Sequence, residues 1–122
     1  MAESFINPSA DNIAALRELG LDGPVVMVNM LRFRPDGGAA QYERYAAAAT
    51  PFLAKAGATL RYLGDGMATV IGADHWDEVL LVEYPDIQAF FNMTSDPEYP
   101  SDLRAEGLLD SRLYCTQQRR SS

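Results

Sequence analysis

Residues that bind metals or form covalent cross-links are scarce in this sequence. It contains one cysteine, Cys115, and one histidine, His75, among 122 residues. A single cysteine cannot form an internal disulfide, and the paired cysteines of zinc and iron–sulfur sites are missing. His75 stands between Asp74 and Asp77 in a turn-like segment rather than on a helix facing an apolar box, which disfavours haem. We therefore expect no metal, no other bound cofactor and a reducing compartment.

Basic residues and long apolar runs are also few. Ten Lys and Arg residues stand against seventeen Asp and Glu residues, and the formal net charge of −7 repels phosphate backbones and anionic membrane surfaces. No apolar run approaches the roughly 18 residues that span a bilayer, and residues 1–5 lack the basic region followed by an apolar one that begins a secretory signal. The sequence thus predicts no nucleic-acid partner, no membrane partner and a cytoplasmic location.

The residues that are present fit one domain with an ordinary core. With 48% hydrophobic residues, a chain of this length buries roughly two-thirds of its extended surface and needs no disulfide or metal for stability. Residues 1–23 are predicted to be an N-terminal extension with a short helix at 11–19, which Gly20 ends. Residues 24–117 form the predicted domain, and residues 118–122 form a polar tail.

The spacing of apolar residues predicts the elements of this domain. Residues 25–31 are continuously apolar or β-branched apart from one polar position, which is typical of a central strand covered on both sides. A helix kinked at Pro51 follows. Because residues 73–77 already supply a turn, the glycine-rich triplet at 64–66 is interpreted as a bend within one long strand. The predicted order is β-α-β-β-α-β, an α+β plan with an appended N-terminal helix. Its elements are strand 25–31, helix 39–56, bent strand 59–71, strand 79–84, a helix broken near 95–98, and strand 112–116.

Such a sheet has two faces, and the helices cover only one of them. Side chains on the other face, such as Val26, Val28 and Met30 or the alternate set, would form an apolar patch larger than monomers usually tolerate. We therefore expect a homodimer that packs sheet on sheet.

Five segments occur in a fixed order along the chain: NMLRFR (29–34), YERY (42–45), WDEVLLVEYP (76–85), SDPEY (95–99) and DSRL (110–113). Together they resemble the domain-of-unknown-function 1330 (DUF1330) family over about residues 25–116. The resemblance implies a ferredoxin-like antiparallel sheet with helices on one face, in a dimeric α/β barrel. That superfamily includes cofactor-free monooxygenases, lactone isomerases, polyketide cyclases and haem enzymes, so the fold alone decides no activity. The helix at 11–19 is an addition to the family core.

Four polar or aromatic residues near the first strand and helix are candidates for a binding site. Asn29 is the polar residue within the buried first strand, and a buried amide must find partners or cost about 1 to 3 kcal/mol. It either bonds neighbouring backbone or donates to a ligand carbonyl. Arg32 serves a ligand or a surface or dimer salt bridge. Tyr42 and Tyr45 share the inner face of the helix with small alanines, where they either line a cavity or fill the core with a wet hydroxyl tip.

The second half of the chain supplies four more candidates. Arg104 on the broken helix either offers a guanidinium fork to a carboxylate or enolate, or pairs with an acidic neighbour such as Asp110. Asp110 itself is a candidate ligand contact. His75 is either an exposed turn residue or a general acid or base. Trp76 is expected at the barrel rim or the dimer seam and is a further candidate contact.

Two functions remain open from the sequence. The first is a cofactor-free enzyme of oxygenase, isomerase or cyclase type, acting on a small carbonyl-containing or aromatic metabolite between helices and sheet. In this hypothesis Asn29 and Arg104 stabilise an oxyanion or enolate, and Tyr45 or His75 moves the proton. The second is a non-catalytic dimer that binds a metabolite or serves a structural role. The absence of paired carboxylates or a nucleophile–base pair at a revealing spacing disfavours hydrolysis.

Overall fold

The computed structural model describes residues 4–119 and has a four-stranded antiparallel sheet in the order β2-β3-β1-β4. This is the ferredoxin-like α+β fold. The elements are α1 (Ala10–Glu18), β1 (Val25–Phe33), α2 (Gly38–Ala56), β2 (Thr59–Asp65), β3 (Glu78–Tyr84), α3 (Ile87–Thr94), α4 (Ser101–Glu106) and β4 (Leu108–Thr116).

Strand β1 lies in the middle of the sheet and separates two different faces. Val25, Met27 and Leu31 point toward the helices and are buried, whereas the residues between them, such as Val28, are half-buried. This alternation follows from the two-residue repeat of a strand. We call the first side the helix-covered face and the second the open face. Within one chain, β1 is thus covered on one side by helices, and cover on its other side stays a prediction that depends on the expected homodimer.

The core on the helix-covered face consists of two adjoining groups of side chains. In the larger group, Val25 and Met27 pack against the aromatic residues of α3, with Ile13 and Leu16 of α1 at its edge. The smaller group contains Leu31, Tyr42 and Leu108, with Ile6, Phe33 and Tyr45 against it. The appended helix α1 therefore extends the cover of this face.

The chain before α1 is bonded to the last strand. The backbone N–H of Phe5 donates to Asp110 Oδ1 at 2.9 Å, and Ser111 Oγ donates to the carbonyl of Phe5 at 2.8 Å. Ser9 then caps α1 by accepting from the N–H of Asn12 at 3.1 Å. The N-terminal extension is thus attached to the domain at its β4 side.

The structure corrects two predicted strand boundaries. The bent strand at 59–71 is wrong: β2 ends at Asp65, and residues 66–77 form a connection outside the sheet. The N–H of Gly66 donates to the carbonyl of Asp77 at 2.9 Å, so the connection closes where the pairing of Asp65 with Glu78 ends. Strand β4 begins at Leu108 rather than at 112 because its pairing with β1 continues, through a register shift, as far as Phe33. The predicted break in the second helix is present between α3 and α4.

None of the helices within residues 4–119 has the length and hydrophobicity that crossing a bilayer requires.

Candidate ligand-binding site

Three tyrosine hydroxyls come together on the helix-covered face, and we call Tyr42, Tyr45 and Tyr99 the phenol cluster. The rings of Tyr42 and Tyr45 lie 5.2 Å apart between centroids, and those of Tyr45 and Tyr99 lie 6.1 Å apart, edge to face. The hydroxyls of Tyr45 and Tyr99 are hydrogen-bonded to each other. The cluster therefore joins α2 to the segment between α3 and α4.

Helix α2 and a turn hold these rings in place. Tyr42 and Tyr45 are three residues apart on α2, so both side chains lie on one side of the helix. Tyr99 follows a turn in which Asp96 Oδ1 accepts from the N–H of Glu98 at 2.9 Å and the Asp96 carbonyl accepts from the N–H of Tyr99 at 3.0 Å. Phe52 packs its ring edge-to-face with Tyr99 at 5.7 Å. The aromatic wall is thus built from two separate parts of the chain.

A guanidinium faces the phenol cluster from α4. Arg104 Nη1 donates to the carbonyl of Ile6 at 2.8 Å, and its charge acts on the hydroxyls of all three tyrosines. The alternative ion pair between Arg104 and Asp110 is not formed, because Asp110 pairs with Arg112 at 2.8 Å. Within residues 4–119, Arg104 has no carboxylate at ion-pair distance. Its positive charge is therefore available to an anionic or electron-rich group.

Burial keeps the three phenols protonated. Desolvation raises the pKa of Tyr42, of Tyr45 and of Tyr99, and the opposing effect of the Arg104 charge is smaller. At neutral pH these side chains are hydrogen-bond donors and not bases. Together with Arg104 they can stabilise a ligand oxygen that carries negative charge, but they cannot by themselves remove a proton.

Asn29 lies on the same side of β1 as Met27 and Leu31 and is half-buried. Its amide Nδ2 donates to the carbonyl of Met27 at 3.5 Å, which is a long hydrogen bond. On β4 its neighbour is Leu113, which is 41% exposed although it also points to the helix-covered side. The helix-covered face is therefore incompletely packed beside Asn29, whose amide N–H group makes only this long hydrogen bond within the described residues.

Glu78 is a candidate that the sequence reasoning missed. It pairs with Leu31 across β3 and β1, so it lies on the helix-covered face, and its charge acts on Tyr42. Burial raises the pKa of Glu78, and the nearby carboxylates of Asp65 and Glu43 raise it further. A carboxyl group with a raised pKa can act as a general base or acid. Its position in the sequence could have indicated this: Glu78 lies two residues after Trp76, at the start of a strand, where alternation directs its side chain toward the helix-covered face.

Tyr99 was also missed as a site residue. It ends the SDPEY segment, directly after a turn signal that contains proline, and the sequence reasoning used this segment only as a helix start. Turns position functional side chains often, and this was the available signal.

The remaining predicted candidates lie on the open face, away from the phenol cluster. The guanidinium of Arg32 lies 5.2 Å from the Trp76 ring, and that of Arg112 lies 5.1 Å from the same ring. Arg32 Nε and Nη2 donate to the carbonyl of His75 at 2.9 Å and 2.6 Å. Asp110 pairs with Arg32 in the register of β4 and β1, so it belongs to this group. The eight predicted site residues therefore divide into two groups on opposite faces.

His75 does not join Tyr45 and Arg104. It is exposed, and its Nε2 lies 3.4 Å from Asp77 Oδ1. Because Arg32, which bonds its carbonyl, points away from the buried Leu31, His75 lies on the side of the sheet opposite the phenol cluster. The predicted combination of His75 with Tyr45 and Arg104 in one proton-transfer site is not found.

Two open depressions adjoin α4. One of about 540 Å³ is lined by residues of the α3–α4 connection and of α4, including Tyr99 and Leu103. The other, of about 430 Å³, lies between the start of α2 and Glu106. Of the residues of the phenol cluster, Tyr99 lines the first depression, whereas Tyr42 and Tyr45 line neither. In residues 4–119, Asp, Glu, His and Cys side chains form no group of three suited to a metal ion.

Comparisons with known proteins agree with this architecture. A family profile described as "Domain of unknown function (DUF1330)" matches residues 37–107. The crystal structure of RPA0582, a protein of unknown function from Rhodopseudomonas palustris, has 29% sequence identity and a TM-score of 0.89, and the match covers 98% of this chain and 100% of that one. No curated protein matches the chain significantly.

More distant solved structures share the fold alone. A dimeric protein of unknown function with a ferredoxin-like fold from Bacteroides fragilis has 16% identity and a TM-score of 0.56, covering 80% of this chain and 98% of that one. SnoaB, a cofactor-independent oxygenase from Streptomyces nogalater, has 18% identity and a TM-score of 0.55, covering 82% and 97%.

Proposed function

Because the chain belongs to the family described as domain of unknown function (DUF1330), whose name assigns no activity, we propose a function from the geometry of its own helix-covered face. The protein binds a small metabolite that carries a carbonyl or carboxylate group on an aromatic or apolar body. The observation that carries this proposal is the convergence of three protonated phenols and the Arg104 guanidinium.

The chemistry of the site favours a ligand with acceptor oxygens. Phenol hydroxyls and a guanidinium all donate hydrogen bonds, and Asn29 adds an amide donor on the same face. The aromatic rings of Phe52 and Tyr99 supply apolar walls that suit a planar ligand. Such a combination of apolar walls with a few fixed polar groups is typical of small-molecule sites.

Cofactor-free catalysis is the more specific version of this proposal. Donors aimed at a ligand oxygen would stabilise an enolate or oxyanion as charge develops, and Glu78 beside Tyr42 would remove or return the proton. The description of SnoaB as a cofactor-independent oxygenase supports the idea that this fold can carry such chemistry, although at 18% identity the likeness concerns the fold.

The second candidate function is binding without turnover. It is favoured by the raised pKa of each phenol and by the position of His75 on the other face, since both remove predicted proton carriers from the site. Incubation of the protein with a bound ligand distinguishes the two functions. Recovery of the ligand with unchanged mass supports a binding module, and conversion to a product of different mass or retention supports an enzyme.

We also propose that the protein is a homodimer that packs sheet on sheet. Exposed or half-buried apolar side chains, including Val28, Leu81 and Tyr114, share the open face. Several solved structures with this fold are described as dimeric, which supports the same arrangement here. We propose a cytoplasmic location for the protein, which agrees with its single unpaired cysteine, Cys115.

A ligand screen with matched variants tests the proposed site. Wild-type protein is screened by thermal shift against small aromatic carboxylates and carbonyl compounds, and hits are measured by isothermal titration. We expect Arg104→Met to weaken binding about 10-fold or more, because a charge-assisted hydrogen bond contributes about 1.5 to 3 kcal/mol.

The control is Arg44→Met, which removes an exposed arginine from α2. It should leave the affinity unchanged. Equal affinity of the Arg104 variant and wild type would remove Arg104 from the site. If neither the screen nor native mass spectrometry of protein purified from extract yields any ligand, the proposed function itself is contradicted.

A further inference from the structure

The connection between β2 and β3, residues 66–77, carries the most exposed apolar side chains described in the structure, and we call it the arm. Met67 is 84% exposed, Val70 is 93% exposed and Ile71 is 94% exposed. Burial of aliphatic side chains of this size stabilises a protein, and these three residues forgo that contribution in a single chain. Isolated exposed apolar residues are common, but three within five positions of one connection form a patch.

The arm is held at its base and braced internally. The N–H of Gly66 bonds the carbonyl of Asp77 at 2.9 Å, and the N–H of Asp77 bonds the carbonyl of Leu31 at 2.8 Å. A side chain at Gly66 would overlap the carbonyl of Trp76, so the two ends of the arm are pressed together. Thr69 Oγ1 bonds the carbonyl of Asp74 near the tip. A segment with this many internal bonds loses less conformational entropy when it docks than a free loop would.

The arm begins and ends at the open face. Trp76 lies between Arg32 and Arg112, and both arginines belong to the open side of the sheet. The edge strand that leads into the arm is also exposed, with Tyr62 on the open side 53% accessible. The arm therefore starts and ends beside the surface that we propose to be covered by a second copy.

We propose that the arm docks onto a second copy of this chain through Met67, Val70 and Ile71. This inference rests on the homodimer proposed above and adds the segment that holds it together. A second copy is the occupant that fits because one chain carries both parts of the contact, the projecting apolar arm and the open apolar face. A twofold axis makes this contact occur twice, because the arm of each copy docks onto the other copy. The resulting dimer is closed.

The charge of the molecule disfavours a lipid surface as the occupant. The chain has a formal net charge of −7, and Asp65 and Asp74 lie at the start of the arm and near its tip. Anionic headgroups would repel this surface. A second copy instead offers Arg32 on its open face, which has no carboxylate at ion-pair distance within residues 4–119 and gives acidic arm residues a positive charge to contact.

Sedimentation equilibrium of an arm variant tests the proposal. The wild type should have twice the 13.4 kDa mass of the chain at micromolar concentration. We expect the double variant Val70→Asp, Ile71→Asp to raise the dimer dissociation constant about 100-fold or more, because both carboxylates would be buried in an apolar contact. Leu19→Asp places a charge at another exposed apolar residue, the C-cap of α1, and should leave the constant unchanged.

Loss of folding is excluded as the cause by the far-UV circular dichroism spectrum, which should be the same for all three proteins. Hydrogen exchange gives a second readout without any substitution: amides of residues 67–71 should exchange faster when the wild type is diluted below its dissociation constant. A double variant that dimerises as tightly as wild type, with equal exchange at both concentrations, overturns the role of the arm but leaves the homodimer. A wild type that stays monomeric up to millimolar concentration overturns both the role of the arm and the homodimer. A wild type that stays monomeric and co-sediments with phosphatidylcholine vesicles overturns both as well.

Discussion

The two faces of the sheet are formed by the same strands, but the side chains on each face have different surroundings. On the helix-covered face, Leu31 is fully buried, and the polar groups nearby are neutral phenols, the half-buried Glu78 and the guanidinium of Arg104, which has no ion-pair partner within residues 4–119. On the open face, Met30 is half-buried, and the charges are matched, with Arg112 bonded to Asp110. A guanidinium without a bonded carboxylate is suited to a ligand that carries acceptor oxygens, and a face with matched charges and apolar side chains is suited to another protein surface.

The largest expected difference concerns core packing on the two faces. Leu31→Ala should lower the free energy of unfolding by about 2 to 5 kcal/mol at every protein concentration, because it leaves a cavity under the helices. Met30→Ala changes the neighbouring residue on the open face. It should lower the free energy of unfolding only slightly at high dilution and more as the protein concentration rises. Urea unfolding at two concentrations measures both effects. A concentration-independent effect of Met30→Ala would break the distinction between the faces.

A smaller effect is expected from the buried carboxylate of the open face. Burial opposes the ionisation of Asp110, but hydrogen bonds from the N–H of Phe5, from Arg112 and from the N–H of Ser111 outweigh it and lower its pKa below 3.8. Because the folded-state pKa is the lower one, this stabilisation is complete well above pH 4 and is lost as the pH falls through the folded-state value. Asp110→Asn should therefore cost about 2 kcal/mol at pH 7.

The difference in unfolding free energy between wild type and Asp110→Asn should shrink as urea unfolding is repeated at progressively lower pH, because Asp110 takes up its proton in the folded state. Asp22→Asn, at an exposed aspartate outside the sheet, is the control and should leave the free energy of unfolding at pH 7 unchanged. A constant cost from pH 3 to pH 7 would show that packing around Asp110, and not its charge, matters.

The smallest effect should have the opposite sign and lie on the helix-covered face. Burial and two neighbouring carboxylates raise the pKa of Glu78 above 4.5, so the folded state holds its proton more tightly than the unfolded state does. Stability therefore falls as the pH rises from about 4.5 through the folded-state pKa. Glu78→Gln should be more stable than wild type at pH 7 by about 1 kcal/mol or less, since the group is half-exposed.

The same comparison at pH 4 should show almost no gain for Glu78→Gln. Glu18→Gln on α1 serves as the exposed control. A loss of stability at pH 7 would mean that ionised Glu78 is bound by a positive group, and it would then be unsuited to act as a base.

Local patterns predicted most of the fold. The helix that contains Tyr42 and Tyr45, the central first strand and the break near residues 95–98 are all present, because apolar spacing, glycine and proline act over a few residues. The segment at 66–71 was misassigned for the same reason. Met67, Val70 and Ile71 have the composition of a strand, but no neighbouring strand pairs with them within the described chain, and β-propensity follows its surroundings.

The candidate site was predicted in part. Asn29, Tyr42, Tyr45 and Arg104 lie on one face as expected, whereas Arg32, His75, Trp76 and Asp110 lie on the other. Strand alternation does separate Arg32 from Asn29, and the sequence reasoning recognised that parity. It could not place His75, because the conformation of the arm depends on the hydrogen bonds from Arg32 to the carbonyl of His75, which is 43 positions away in the sequence.

The sequence by itself determined the element order and the presence of an apolar surface without helices, since both depend on composition and on the short repeats of helix and strand. Only the tertiary structure decided that Tyr99 and Arg104 meet Tyr45, that Asp110 pairs with Arg112 rather than Arg104, and that Met67, Val70 and Ile71 project from the sheet. These contacts join residues distant in sequence, and their partners are chosen by how whole elements pack, which no local pattern encodes.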